Sequence, residues 1–256
     1  MASTRALDGR VVLITGAGAG LGAVLARSFA AEGAVVVAHG RTIHSTAGVV
    51  AEIEAGGGRA TTVAGDLGGG EDVLTGIVEE VQDRLGPVSV LVNNAADQRR
   101  TSLSEPGLDA WRQQFEVNLL AVAALTGLVC TRAPDRSQVS VVNVSSVEGL
   151  APFPDHAAYA ASKAAVISLT ASAAGEFAPA RVNAIAAGLI DRPGLAEAWP
   201  SGHRWWGSVA PAGRPVTAQE VASVAVFLAS PAASGVTGAT IPVDGGWSSS
   251  PRTGYV

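Results

Sequence analysis

Lysine is all but missing from this chain: of its 17 basic residues 16 are arginine, and Lys163 stands alone. Tyrosine is nearly as scarce, with two in 256 residues, and one of them, Tyr159, lies four positions before that lysine. Cysteine is reduced to Cys130, which excludes a disulfide framework within the chain; in the apolar stretch Ala121 to Cys130 it is expected to act as a small core hydrophobe. There is no basic run, and 22 acidic residues leave a net charge of −5, so nothing in the charge pattern points to nucleic acid or an anionic membrane. Mean hydropathy is positive at +0.31, yet no unbroken apolar run approaches the roughly 18 residues of a spanning helix. Met1 to Arg10 lacks the apolar core of a signal peptide, which makes the cytoplasm the expected location. What these absences leave is small-molecule chemistry, with no metal expected at the site.

What is present alternates. Short β-branched runs, Val11 to Thr15, Val35 to His39, Ala60 to Ala64, Val88 to Val92, Val139 to Val144, Val182 to Ile185 and Thr240 to Val243, read as strands. Between them Leu21 to Ala31, Ser45 to Ala55, Glu71 to Leu85, Leu108 to Thr131, Ala158 to Phe177 and Ala218 to Ala229 read as helices by period and by Gly/Pro punctuation. That order predicts an α/β fold, a doubly wound seven-stranded parallel sheet with helices on both faces. With no repeat and no linker, residues 1–256 are expected to form one domain. Its longest irregular stretch is Gly194 to Pro215, rich in Pro, Gly and Trp.

The first strand runs into Thr15-Gly-Ala-Gly-Ala-Gly-Leu-Gly22 and then a helix. Glycines there let the backbone approach a pyrophosphate, whose charge is received by N–H groups and the positive end of the helix dipole. The strict Gly-x-Gly-x-x-Gly spacing is not met; the chain has Gly16-x-x-x-Gly20-x-Gly22 instead. At the end of the second strand stands His39-Gly40-Arg41-Thr42, with no acid between Glu32 and Glu52. An acid at that place binds the ribose 2′-hydroxyl of NAD, whereas an arginine pairs with the 2′-phosphate of NADP, so Arg41 favours NADP(H), with NAD(H) as the alternative. Tyr159 and Lys163, spaced i and i+4 on a helix, share one face. A neighbouring ammonium favours the phenolate, which makes Tyr159 the candidate general acid and base.

Together these residues resemble the short-chain dehydrogenase/reductase family from about Leu7 to Gly246. The family's Thr-Gly-x-x-x-Gly-x-Gly is similar to Thr15 to Gly22, its adenine-contacting Asp to Asp66 in Gly65-Asp-Leu67, its Asn-Asn-Ala-Gly turn to Asn93 to Ala96, and its active-site Asn to Asn118. The family's catalytic serine lies thirteen residues before the tyrosine, which selects Ser146 over Ser145. Pro211 to Arg214, Phe227 to Ser230 and Thr237 to Gly246 look like family segments too. The resemblance implies a Rossmann fold and a catalytic set of Asn118, Ser146, Tyr159 and Lys163, with Asn118 holding a water that passes protons to Lys163. It implies cofactor contacts at Gly16, Gly20, Leu21, Gly22, Arg41, Asp66, Leu67, Asn94, Ala95, Tyr159, Lys163, Gly188 and Ile190. It further implies a lid insertion around 189–215 and a homotetramer built on the helices that carry Leu119 to Cys130 and Ala157 to Ala178. Two positions depart from the pattern: Ala96 replaces the turn's last glycine, and Ala187-Gly188 with Arg192 stand where the family has Pro-Gly and a Thr that meets the nicotinamide carboxamide. Either Ile190 backbone groups take over that contact or the register of the loop is shifted.

A hydride transfer between the nicotinamide and a carbonyl or secondary alcohol is the implied activity, on a small-molecule substrate. Trp199, His203, Trp205 and Trp206 in the insertion suggest either a bulky apolar ligand or packing. Asp97-Gln-Arg-Arg100 is similar to family members acting on sugar acids, and Glu148, Asp155 and His156 are further candidates to line the site. Two alternatives stand beside this reading: an NAD-dependent sugar-acid or polyol dehydrogenase, and a cofactor-binding regulator without turnover. The regulator is disfavoured by the joint presence of Ser146, Tyr159 and Lys163.

Overall fold

The computed structural model describes residues 5–104 and 107–250. Met1 to Thr4, part of the stretch read for a leader, lie outside these residues. Strands and helices follow one another as β1 (Val11–Ile14), α1 (Gly20–Ala31), β2 (Val35–Gly40), α2 (His44–Ala55), β3 (Arg59–Ala64), α3 (Glu71–Leu85), β4 (Val90–Asn93), α4 (Leu108–Phe115), α5 (Ala121–Arg132), β5 (Ser140–Ser146), α6 (Ala157–Glu176), β6 (Arg181–Ala187), β7 (Ile190–Asp191), α7 (Leu195–Ala198), α8 (Pro200–Val209), β8 (Val216–Thr217), α9 (Ala218–Ala229) and β9 (Thr240–Val243). The main sheet is seven-stranded in the order β3-β2-β1-β4-β5-β6-β9 and parallel throughout, as expected.

Why the strands are continuous apolar runs is clear from what covers them. A parallel sheet is buried on both faces, so neither set of alternating side chains is polar. Val12, Ile14, Val36, Val92 and Ile185 point into one core with Leu25 and Phe29 of α1, Ile53 of α2 and Val221 and Leu228 of α9. Their neighbours in sequence, Leu13, Val37, Leu91, Val141 and Val182, point into the other, with Ile77 and Val81 of α3, Leu125 and Val129 of α5 and Ala173 of α6. Cys130 belongs to this second core, fully buried, its thiol pushed up to about 11 by burial. Within the apolar interior runs one polar ladder: Asn93 Nδ2 donates to Asn143 Oδ1 at 2.8 Å, and Asn143 Nδ2 to Thr170 Oγ1 at 2.9 Å, joining β4, β5 and α6.

Three features depart from the sequence expectation. The helix expected from Leu108 to Thr131 is interrupted by a π turn at Glu116–Leu120, centred on Asn118. By mean hydropathy rather than by unbroken runs, the whole segment Leu108–Arg132 is long and apolar enough to cross a membrane, yet Leu125, Val129 and Cys130 on its buried side are core residues. The stretch Gly194 to Pro215 is not irregular but contains α7 and α8. Pro200 occupies the first turn of α8, and Gly202 and Trp206, four apart, are the side it buries. Its Pro, Gly and Trp content conceals an i, i+4 pattern.

The order of strands sets the position of the site. Chain connections leave β1 in opposite directions, toward β2 and β3 on one side and β4 to β6 on the other, so a crevice opens beyond the carboxyl ends of β1 and β4. The turns after β1, β2, β3 and β4 converge on it.

Candidate active site

That crevice is a cavity of about 1040 Å³. Gly16, Leu21 and Gly22 line it from the turn after β1, Arg41 from the end of β2, Asp66 and Leu67 from the end of β3, and Asn94 and Ala95 from the end of β4. Gly20, Tyr159, Lys163, Gly188 and Ile190, expected among the cofactor contacts, lie outside this lining. The glycine turn is tight because side chains would not fit: a Cβ on Gly18 would sit 2.0 Å from the Ser45 carbonyl oxygen, and one on Gly22 2.0 Å from that of Gly16. Gly16 itself adopts φ +66 against Ala95. Thr15 and Asn94 staple the two turns together: Thr15 Oγ1 accepts from the N–H groups of Asn94 and Ala95, and Asn94 Nδ2 donates to the carbonyl of Thr15 at 2.9 Å. Asn94 therefore acts on the cradle as a strut. The first turn of α1 has no side-chain cap and no acidic residue, which leaves its N–H groups and dipole for an anion. A cavity of this volume, lined by a glycine turn and by Arg41, has the room and the donors for a dinucleotide.

Asn118, Ser146, Tyr159 and Lys163 are all buried and come together beside this crevice, where β5 ends and α6 begins. Ser146 Oγ accepts from the N–H of Glu148 at 3.1 Å and is hydrogen-bonded to the Tyr159 phenol, a bond that favours the phenolate. Asn118 is fully engaged: Oδ1 accepts from the Asp97 N–H at 2.7 Å, while Nδ2 donates to the Asp97 carbonyl at 2.9 Å and to Ser162 Oγ at 3.1 Å. The π turn thus ties the loop after β4 to α6, whose Ser162 donates in turn to the Tyr159 carbonyl. Ser145, set aside from the sequence, has a structural task; its Oγ donates to the Lys163 carbonyl at 2.8 Å. Gly149 permits the same approach, since a Cβ there would lie 2.8 Å from the Lys163 backbone.

The charge balance corrects one expectation. Tyr159 and Lys163 do share a face, with Nζ 5.7 Å from the phenol ring centre. The ammonium, however, donates to the Val144 carbonyl at 2.8 Å rather than to the phenol. Burial pushes the phenol up to about 12, the Glu148 carboxylate adds to the rise, and only the Ser146 bond opposes it. Lys163, with 2% of its surface exposed, is pushed down to about 8 by the same burial. In this form the site stores a neutral phenol, and Lys163 is not what sets its proton affinity.

The walls of the crevice sort the remaining candidates. Arg99 Nε donates to both carboxylate oxygens of Asp97, at 3.0 and 2.9 Å, and its Nη2 also reaches Gln113 Oε1 at 2.8 Å. Asp97 is held below its ordinary range by that pairing. Of the indoles, Trp206 is buried and stacked on Trp247, with ring centres 5.1 Å apart, and Phe153 closes on Trp247 at 5.4 Å. Trp199 is 47% exposed and folds back over Gly202. Packing, not an open ligand wall, accounts for Trp206. Arg192 is exposed just after β7, and Ile190 is paired with Val216 of β8. His39, Ser45, Gln98, Gln113, Glu116 and Val117 line the cavity without having been singled out; His39 was legible only as the residue at a strand end facing the crevice.

Comparison with known proteins finds dehydrogenases and reductases. A family model described as enoyl-(acyl carrier protein) reductase matches residues 16–248. A 3beta-hydroxysteroid dehydrogenase from Eggerthella lenta is 38% identical over 246 residues, 94% of each chain. A 3-oxoacyl-(acyl-carrier-protein) reductase from Thermotoga maritima is 38% identical over 243 residues, 94% of this chain and 98% of that one. Among solved structures, a gluconate 5-dehydrogenase from Burkholderia cenocepacia in complex with NADP and tartrate superposes with a TM-score of 0.89 at 33% identity, covering 96% of this chain and 98% of the other.

The buried lysine has a measurable consequence for stability. Between about 8 and its ordinary value of 10.5, Lys163 is protonated in the unfolded chain but not in the folded one, so stability rises with pH across that window. Urea unfolding of the wild type and of Lys163→Met from pH 7 to 10.5 is expected to show the wild type gaining about 2 to 3 kcal/mol on the variant. Parallel curves would show that the ammonium is not desolvated.

Proposed function

The chain belongs to the short-chain dehydrogenase/reductase family, and from that membership we propose that it is an NADP(H)-dependent oxidoreductase interconverting a carbonyl and a secondary alcohol on a small-molecule substrate. The observation that carries the proposal is the meeting of Ser146, Tyr159 and Lys163, all buried, beside a crevice whose glycine turn and Arg41 suit a dinucleotide phosphate. The bound nicotinamide supplies the hydride. Tyr159 gives the proton to the carbonyl oxygen, and Ser146, already bonded to the phenol, holds that oxygen as its charge grows. A phenol kept protonated by burial is the form a reduction requires. Lys163 would meet the nicotinamide ribose of a bound cofactor, and Asn118, through its bonds to Asp97 and Ser162, fixes the loop after β4 against α6.

The choice of NADP over NAD is supported at the end of β2. Gly40 is the residue there, so no acidic side chain stands at that point, and a Cβ on it would have to displace Ser45 Oγ, 2.2 Å away. Arg41 is exposed on the cavity wall beside it, free to fork onto a 2′-phosphate. Segment 189–215, with α7 and α8, serves as the cover of the substrate cleft. The homotetramer is supported by the outer side of α6, where Ala161, Ala164, Ser168, Ala171 and Ser172 are exposed, a surface of small residues suited to close helix contact.

Two variants test the proposal. Tyr159→Phe removes the phenol hydroxyl, and with it the proton and the bond to Ser146, so carbonyl-dependent NADPH oxidation should fall at least about a thousandfold while NADPH titration gives nearly the wild-type affinity. Retained turnover would refute the assignment. Arg41→Ala should weaken NADPH binding more than about tenfold and leave NADH almost unchanged; equal losses for both would take Arg41 away from the phosphate.

A further inference from the structure

We propose that Glu148 and His156 form a hydroxyl-recognition pair beside Tyr159, selecting neutral substrates that carry a second hydroxyl next to the reacting carbon. The inference rests on the reading of Tyr159 as the proton donor, which fixes where the reacting oxygen lies.

Both residues are held beside the Tyr159 phenol by specific contacts. Glu148 sits in the single 3-10 turn that follows β5, and its N–H donates to Ser146 Oγ, so its position is tied to the serine. His156 immediately precedes α6, after Asp155, a non-glycine residue in the left-handed region at φ 61. Thr101 holds that strained corner from the loop after β4. Its N–H donates to the Asp155 carbonyl at 2.9 Å, it bridges to His156, and its Oγ1 accepts from the Ala158 N–H at 3.2 Å. The imidazole so placed stands edge-on to the Tyr159 ring, centres 6.1 Å apart.

The two side chains meet, with His156 Nδ1 at 3.0 and 3.2 Å from the Glu148 carboxylate oxygens. Both remain partly open, at 12% and 26% side-chain exposure. Among the described residues His156 is the one side-chain donor to that carboxylate, although two carboxylate oxygens accept about four hydrogen bonds. The group is desolvated and undersupplied with donors, and burial raises its proton affinity accordingly. Its charge is felt at the Tyr159 phenol, which places it within reach of whatever adjoins the reacting oxygen. A substrate hydroxyl supplies the missing donor. A substrate carboxylate brings only acceptors and a charge that Glu148 repels, and Arg99, one of the two arginines of the loop after β4, is already paired with Asp97 and Gln113. The pair therefore selects neutral vicinal diols and α-hydroxyketones over sugar acids.

The test compares 2-hydroxycyclohexanone with cyclohexanone by kcat/KM with NADPH, and trans-cyclohexane-1,2-diol with cyclohexanol by tryptophan-fluorescence titration of the NADP+-saturated protein. The wild type should favour the hydroxylated member of each pair at least about tenfold, because a site built to bond a hydroxyl discriminates against the analogue lacking it. Glu148→Leu should bring both ratios below about threefold, Glu148→Gln, which keeps an acceptor, should retain part of the preference, and His156→Leu should lose it as well. Equal losses for both members of a pair in Glu148→Leu and His156→Leu, or a wild type without preference, would overturn the inference and leave the pair a structural latch. A wild type that prefers the diol in binding, loses that preference in Glu148→Leu, and yet turns over neither ketone would retire the oxidoreductase reading while leaving the recognition pair in place.

Discussion

Everything near the site depends on the burial of one ammonium. A cation with 2% of its surface exposed and no carboxylate bonded to it costs several kcal/mol, and the fold offsets that with a single directed partner, the Val144 carbonyl at 2.8 Å. Holding Lys163 there requires α6 to lie close against β5. Ser145 bonds the Lys163 carbonyl, and Gly149 lets the turn after β5 come within contact of the same peptide. The same closeness buries Tyr159, which is why the phenol and the ammonium are pushed in opposite directions, one up to about 12 and the other down to about 8. One act of burial therefore separates two groups whose ordinary values are close, because it disfavours the charged form of each.

A second constraint is the convergence of turns at the switch point of the sheet. Thr15 and Asn94 lock the turns after β1 and β4 into one body, and Asn118 locks the loop that follows β4 onto α6. The cradle that suits a dinucleotide and the cluster that suits proton transfer are in this way parts of one hydrogen-bonded frame. Moving either turn would disturb both. The aromatic cluster of Phe153, Trp205, Trp206 and Trp247 extends that frame to α8, since Gly188 at the end of β6 leaves only enough room for the Trp206 ring.

Much of this was legible in the sequence, for identifiable reasons. The seven strands could be read because a sheet buried on both faces is written as unbroken β-branched runs, and the helices between them because each keeps a 3.6-residue period. Tyr159 and Lys163 stood out through the scarcity of their kinds, and resemblance to a family pointed to Asn118 and Ser146, which are buried near them. What escaped were consequences of three-dimensional contact. A π turn at Asn118 has no periodic signature, since its cause is the pair of bonds to Asp97, 21 residues away. The direction of Lys163 Nζ could not be read from an i, i+4 spacing, which fixes a face and not a partner. Helix α8 was hidden by Pro, Gly and Trp, residues that ordinarily mark loops but here bury one side against Trp247. His156 could be named in the sequence as a candidate to line the site, but not its contacts with Glu148 and Thr101, which join distant parts of the chain.

The central claim is that Tyr159 carries the proton and that its high affinity for it belongs to the cofactor-free chain. Oxidised nicotinamide brings a positive charge to the crevice beside Lys163, and a nearby positive charge favours the phenolate. Spectroscopic titration of tyrosinate absorbance, with and without saturating NADP+ and with Tyr159→Phe to assign the signal, measures this directly. The account predicts a titration near 12 in the free protein that moves into the range of a working general acid and base, about 7 to 9, when NADP+ is bound, and that is missing from the variant. The same curve with and without NADP+ would contradict it.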